Sequence, residues 1–117
     1  MQKISALILS DEYSTNEVLK LFVSEFDNIN LLDCPTQPEL ILETLTELQD
    51  KSIFWVDLSD NKQEKLDLIL KVSQQCPNCK ILALSDNPTV DLIIRIMRAG
   101  AREFVPIPIL KMSFLTH

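Results

Sequence analysis

The chain of 117 residues contains one glycine, one histidine and three cysteines, and its basic residues are outnumbered by acidic ones, 11 to 17. At ordinary usage a chain of this length would carry roughly eight glycines. With only Gly100 present, there is no GxxxxGK phosphate loop, no GxGxxG dinucleotide turn and no supply of Asn-Gly or Gly-Gly hairpin turns. This argues against an all-β sandwich and against nucleotide enzymes that wrap phosphates in glycine-rich loops. The single histidine is His117, the last residue, so a Ser-His or Cys-His catalytic pair would rest on a terminal side chain, and that chemistry is set aside. The formal net charge of −6 opposes the counterion release that drives binding to nucleic acid or to an anionic membrane, so neither is expected as a partner. No apolar run approaches the roughly 20 residues of a membrane span, and Met1-Gln2-Lys3-Ile4 does not open a signal peptide, so a cytoplasmic location is expected. Cys34, Cys76 and Cys79, an odd number without a secretory signal, read as reduced thiols. Cys76 and Cys79 have CxxC spacing, but a structural zinc site pairs two such motifs; one motif reads as the turn between a helix and a strand.

What the sequence does contain is an alternation of apolar runs and amphipathic helical patterns, without repeats or an evident linker, which predicts one α/β domain over 1–117. Residues 4–9 read as a buried strand. Ser14 with Glu17 forms a capping-box pattern before a helix with Val18, Leu21, Phe22 and Phe26 on its core face. Residues 29–32 read as a short strand, and Thr36 with Glu39 repeats the capping box before a stripe of Ile41, Leu45 and Leu48. Residues 53–56 are continuously apolar, as a central parallel strand covered on both faces should be, and the run ends at Asp57. A helix over 63–75 with Leu66, Ile69, Leu70 and Ser73 on one side, a strand over 80–84, a helix over 88–99 stopped by Gly100, and a strand over 103–107 follow. Residues 109–117 leave room for a short or truncated fifth helix only.

In a parallel α/β sheet the functional crevice lies outside the carboxyl ends of the strands. Those ends carry Ser10-Asp11-Glu12, Asp57 with Ser59 beyond it, Ser85-Asp86, and Ile107-Pro108. Asp11, Glu12 and Asp57 converging on one edge form a hard oxygen donor set for Mg2+, expected to bind weakly; no other cofactor is expected.

These residues resemble the receiver domains of two-component response regulators over nearly the whole chain. The resemblance implies a CheY-like, flavodoxin-like fold with a five-stranded parallel sheet in the order 2-1-3-4-5 and helices on both faces. It implies that Asp11 and Glu12 are the acidic pair, Asp57 the phosphoacceptor, Ser85 the switch hydroxyl and Phe104 the switch aromatic. Two features depart from the family pattern. Ile107 stands where receivers carry a lysine before the proline, and Asn61-Lys62-Gln63-Glu64-Lys65 replaces a short glycine-containing loop. Asp11, Glu12 and Asp57 are then left without a matched protein cation, so their mutual repulsion is expected to disfavour the charged form of at least one unless a metal binds. The segment Arg98-Ala99-Gly100-Ala101-Arg102-Glu103-Phe104-Val105-Pro106 resembles the degenerate receiver of CpaE-type, MinD/ParA-like ATPases of Flp pilus assembly.

On the fourth helix, Val90, Ile93, Ile94 and Met97 read as the core stripe, while Leu92 and Ile96 widen the apolar arc toward about 200°. Leu92 and Ile96, rimmed by Arg95, Arg98 and Arg102, are therefore expected to meet a protein partner or a second copy, or to lie under the segment with Leu110, Met112, Phe114 and Leu115. The sequence thus reads as a regulatory module rather than an enzyme, with at most the phosphoacceptor and autophosphatase chemistry of a receiver. The leading reading is a degenerate receiver acting through protein contacts on an attached or partner ATPase. The alternative is an active receiver that takes a phosphoryl group on Asp57 from a histidine kinase with Mg2+. An unrelated flavodoxin-like enzyme is disfavoured, because no glycine-rich or hydroxyl-rich phosphate loop follows the first strand.

Overall fold

Apolar runs and helical stripes take turns along the chain as expected. A computed structural model describes residues 4–48 and 51–106. In chain order these form β1 (Ile4–Leu9), α1 (Tyr13–Ser24), β2 (Ile29–Leu31), α2 (Pro38–Leu48), β3 (Ser52–Asp57), α3 (Lys62–Gln75), β4 (Cys79–Ser85), α4 (Val90–Ala99) and β5 (Glu103–Pro106). The expectations for Ile107, Pro108 and a fifth helix fall outside the described residues.

All strand pairs are parallel and the sheet order is β2-β1-β3-β4-β5. The order reverses between β1 and β3, which places a crevice at their carboxyl ends. Burial divides the domain into two layers about the sheet. On one face Leu7, Phe54, Val56, Ile81 and Ala83 pack with Ile41 and Leu45 of α2, Leu66, Ile69 and Val72 of α3, and Leu92 and Ile96 of α4. On the other face Ile8 and Leu84 pack with Leu19 of α1, with Leu31, Trp55 and Val105 at the margin. Among the described residues no helix is long and apolar enough to cross a membrane.

Local chemistry explains most of the boundaries. Pro38 opens α2, where its missing N–H costs nothing. Thr89 caps α4, its hydroxyl accepting from Leu92 N at 3.1 Å. Gly100, at φ 118°, ends α4 with bonds from Gly100 N to Met97 O and from Ala101 N to Ile96 O, a Schellman motif. Asn61, at φ 52°, provides the left-handed turn before α3; its short polar side chain tolerates a conformation otherwise given to glycine. The expected Ser14 cap does not form: α1 starts two residues earlier, with Glu12 as its N-cap, and Ser14 Oγ donates instead to Glu12 Oε1 at 2.9 Å.

Two helices, α1 and α4, present a different face to the sheet from the one expected, while in α3 Leu66 and Ile69 face inward as expected and Leu70 does not. In α1 the buried residues are Thr15, Leu19 and Val23, while Leu21 and Phe22 are exposed. In α3 they are Lys65, Leu66, Leu68, Ile69 and Val72, with Leu70 exposed. In α4 the expectation is inverted: Leu92 and Ile96 are core residues at 5% and 0% exposure, and Val90, Ile94 and Met97 face outward at 76%, 44% and 44%. At about 100° per residue these two α4 sets lie roughly opposite each other. Both are apolar, so periodicity alone does not choose between them.

Candidate functional site

The carboxyl ends of β1, β3 and β4 bring Ser10, Asp57 and Ser85 to one edge of the sheet. Asp57, the last residue of β3, is 2% exposed. Both of its carboxylate oxygens are engaged from within the protein: Oδ2 accepts from Ser10 Oγ at 2.7 Å, and Oδ1 accepts from Ser59 N at 2.9 Å and from Ser59 Oγ at 2.6 Å. Ser59 Oγ in turn accepts from Asp86 N at 3.3 Å, and Ser10 Oγ from Glu12 N at 3.2 Å. Asp57 is thus the hub of a hydrogen-bonded bracket joining the ends of β1, β3 and β4, and the charge on its oxygens strengthens those bonds.

Asp11 is turned elsewhere. Its Oδ2 lies 3.1 Å from Lys65 Nζ, and the lysine side chain is 7% exposed against 50% for the aspartate. A lysine is almost never so fully buried without a partner. Lys65 falls in the first turns of α3, where the helix dipole disfavours positive charge. The Cα–Cβ bond of a helical residue tilts toward the helix N-terminus, which directs the Lys65 side chain back over the crevice to Asp11. A cation from α3 thus meets the acidic side chain that follows β1.

Ser85 is fully buried, and its Oγ accepts from Asn87 N at 3.1 Å, a bond local to its own turn. Phe104 is half-buried and packs against the main core cluster. Arg95, on the outer side of α4, donates through Nη2 to Gln63 Oε1 at 2.8 Å. Arg98 and Arg102 are exposed, Arg102 just before β5 at the opposite edge of the sheet from the crevice.

The residues present do not fit the divalent cation that the fold implies. Asp11 is paired with an ammonium, Glu12 accepts from Ser14, and Asp57 is buried with both carboxylate oxygens already accepting from hydroxyl and amide donors. Among the described residues no group of three or more His, Cys, Asp or Glu side chains is gathered to hold a metal ion. Cys34, Cys76 and Cys79 are free thiols. Burial pushes Cys34 up to about 11, and burial raises Cys79 despite a hydrogen bond from Ser52, which favours the protonated thiol in both. Tyr13 is raised by its hydrogen bond and proximity to Glu17 on the surface of α1.

Lys65, Ser10 and Ser59 are the site residues that motif matching passes over. A signal for Lys65 lies in the helical pattern. Lys65, Leu68, Ile69 and Val72 fall at i, i+3, i+4 and i+7, so the lysine occupies a core position of its stripe.

Fold and crevice together define a receiver-like α/β domain: the chain has the CheY-like receiver fold. No family model matches the sequence, and no curated protein does, but 63 solved chains match in structure. A pilus assembly-related protein of Burkholderia pseudomallei is similar over 90% of this chain and 78% of its own, with 21% identity and a TM-score of 0.74. A response regulator of Thermotoga maritima is similar over 91% of this chain and 86% of its own, with 23% identity and a TM-score of 0.74. A CheY-like protein of Pseudomonas aeruginosa, TadZ, is similar over 89% of this chain and 87% of its own, with 17% identity and the same TM-score.

Proposed function

We propose that the domain is a degenerate receiver, a signalling or regulatory module that works through protein contacts without phosphorylation of Asp57. The observation that carries this reading is the condition of Asp57: nearly inaccessible, with Oδ1 and Oδ2 both accepting bonds from Ser10 and Ser59. A carboxylate that attacks phosphorus must direct a free lone pair at it, and the charge that develops must be met by a cation. Here three of the roughly four lone-pair sites of the buried carboxylate are taken up inside the protein, and the nearby cation is committed to Asp11.

The partner class is a MinD/ParA-like ATPase of pilus assembly, attached or separate. This is supported by the segment 98–106 and by the likeness to pilus assembly-related structures. The contact face is the outer side of α4, where Val90, Ile94 and Met97 form an exposed apolar strip beside Arg95 and Arg98. Incubation with Mg2+ and acetyl phosphate or beryllofluoride tests the reading by intact mass and by amide shifts. The expected result is no added phosphoryl mass and no shift around Asp57. A mass increase that disappears in Asp57→Asn would instead establish that Asp57 accepts a phosphoryl group, as in the alternative reading of an active receiver served by a histidine kinase.

A further inference from the structure

The Lys65–Asp11 pair supports a more specific statement about the crevice. We propose that the Lys65 ammonium is a built-in cation that takes the place of the divalent metal, so that the crevice is closed and charge-compensated by its own chain. The inference rests on the phosphorylation-independent reading and supplies its physical basis.

Three features are unfavourable for a lysine and coincide at this position: a side chain 7% exposed, a core position in the α3 stripe, and the first turns of a helix, where the dipole repels positive charge. Such a residue persists only if a negative group meets it, and Asp11 Oδ2 does so at 3.1 Å. Asp11 remains half-exposed, so water still solvates the rest of its carboxylate, whereas Lys65 without Asp11 would be a buried charge alone. An ammonium in the crevice also repels any incoming cation. Neutralising Lys65 should therefore uncover affinity for a hard divalent ion that the unmodified protein lacks.

The probe is Mn2+, read by paramagnetic broadening of the amides of residues 10–12 and 57–59 and by calorimetric titration. The unmodified protein is expected to show no saturable binding at millimolar Mn2+. Lys65→Met should bind about tenfold tighter or more, Lys65→Arg should stay closed, and Lys65→Met with Asp11→Asn should lose the gain. Equal binding by the unmodified protein and Lys65→Met, or no gain in Lys65→Met, overturns the proposal. A metal-free measurement keeps it testable if Lys65→Met folds poorly. Asp11→Asn should lower the urea midpoint more than Lys65→Met or Lys65→Gln does, because only Asp11→Asn strands a buried charge; the reverse order overturns the proposal. Phosphorylation of the unmodified protein on Asp57 would defeat the degenerate reading while leaving the Mn2+ comparison to stand or fall by itself. A missing Mn2+ gain with Asp57 unphosphorylated would defeat only the Lys65 inference.

Discussion

At the scale of one residue, Gly100 is held by two independent constraints. Its φ of 118° lies where a side chain is strained, and a Cβ built there would collide with Cβ and Oγ of Ser73 on α3. Ser73 Oγ is itself within bonding distance of Leu70 O at 2.8 Å and Ala99 O at 2.9 Å, so it cannot move aside without abandoning a carbonyl of α3 and the last carbonyl of α4. Gly100→Ala should therefore cost about 3 kcal/mol or more, combining left-handed strain with overpacking. Asparagine separates the two causes, since it tolerates positive φ but still carries a Cβ. Gly100→Asn should recover little of the loss in urea denaturation. Full recovery would mean that backbone conformation alone fixes the glycine and that the α3–α4 approach at Ser73 is soft.

At the scale of elements, α4 is apolar on two opposite sides, and the two sides should respond differently to substitution. Leu92→Ala removes a core side chain and should cost about 2–5 kcal/mol. Ile94→Lys with Met97→Lys changes only the outward strip and should leave the urea midpoint within about 0.5 kcal/mol per substitution. Comparable losses from both would mean that the outward strip is covered within the folded domain. The same helix shows what was legible in the sequence. Element type and order could be read, because a continuously apolar run such as 53–56 has no other home than a central parallel strand. Asp57 and Ser85 were placed correctly at its edge, because strand ends follow from the runs themselves. Which face of a helix is inward was not legible where both faces are apolar. The choice falls to the entry geometry, here the Thr89 cap and the Gly100 turn, which set the rotation of α4 against the sheet. Lys65 was hidden for a related reason: a lysine in a core stripe reads as a break in the pattern until Asp11, 54 residues away in sequence, is brought to it by the fold.

For the molecule as a whole, the bracket centred on Asp57 ties neighbouring strands together at the edge where their loops diverge. Ser10 follows β1, Asp57 ends β3, Ser59 begins the loop to α3, and Asp86 follows β4; a continuous run of bonds joins them. This assigns Asp57 a stabilising role, opposite to that of an acceptor poised for phosphotransfer. In an open acidic crevice, carboxylates repel one another, and deleting one relieves the repulsion. Here Asp11 is neutralised by Lys65, so deletion of Asp57 relieves little and leaves Ser10 Oγ, Ser59 Oγ and Ser59 N without their shared acceptor. Bonds to a charged acceptor contribute about 1.5–3 kcal/mol each, and the hydroxyls can partly find new partners, so Asp57→Ala should lower stability by about 2–4 kcal/mol. Asp57→Asn should cost less, because its amide oxygen still accepts from Ser59, and the Ser10 hydroxyl can turn to accept from the new amide donor. The expected order of urea midpoints is therefore unmodified protein above Asp57→Asn above Asp57→Ala. An Asp57→Ala protein as stable as the unmodified one, or more stable, would show that repulsion dominates the crevice and that Asp57 is held ready for chemistry.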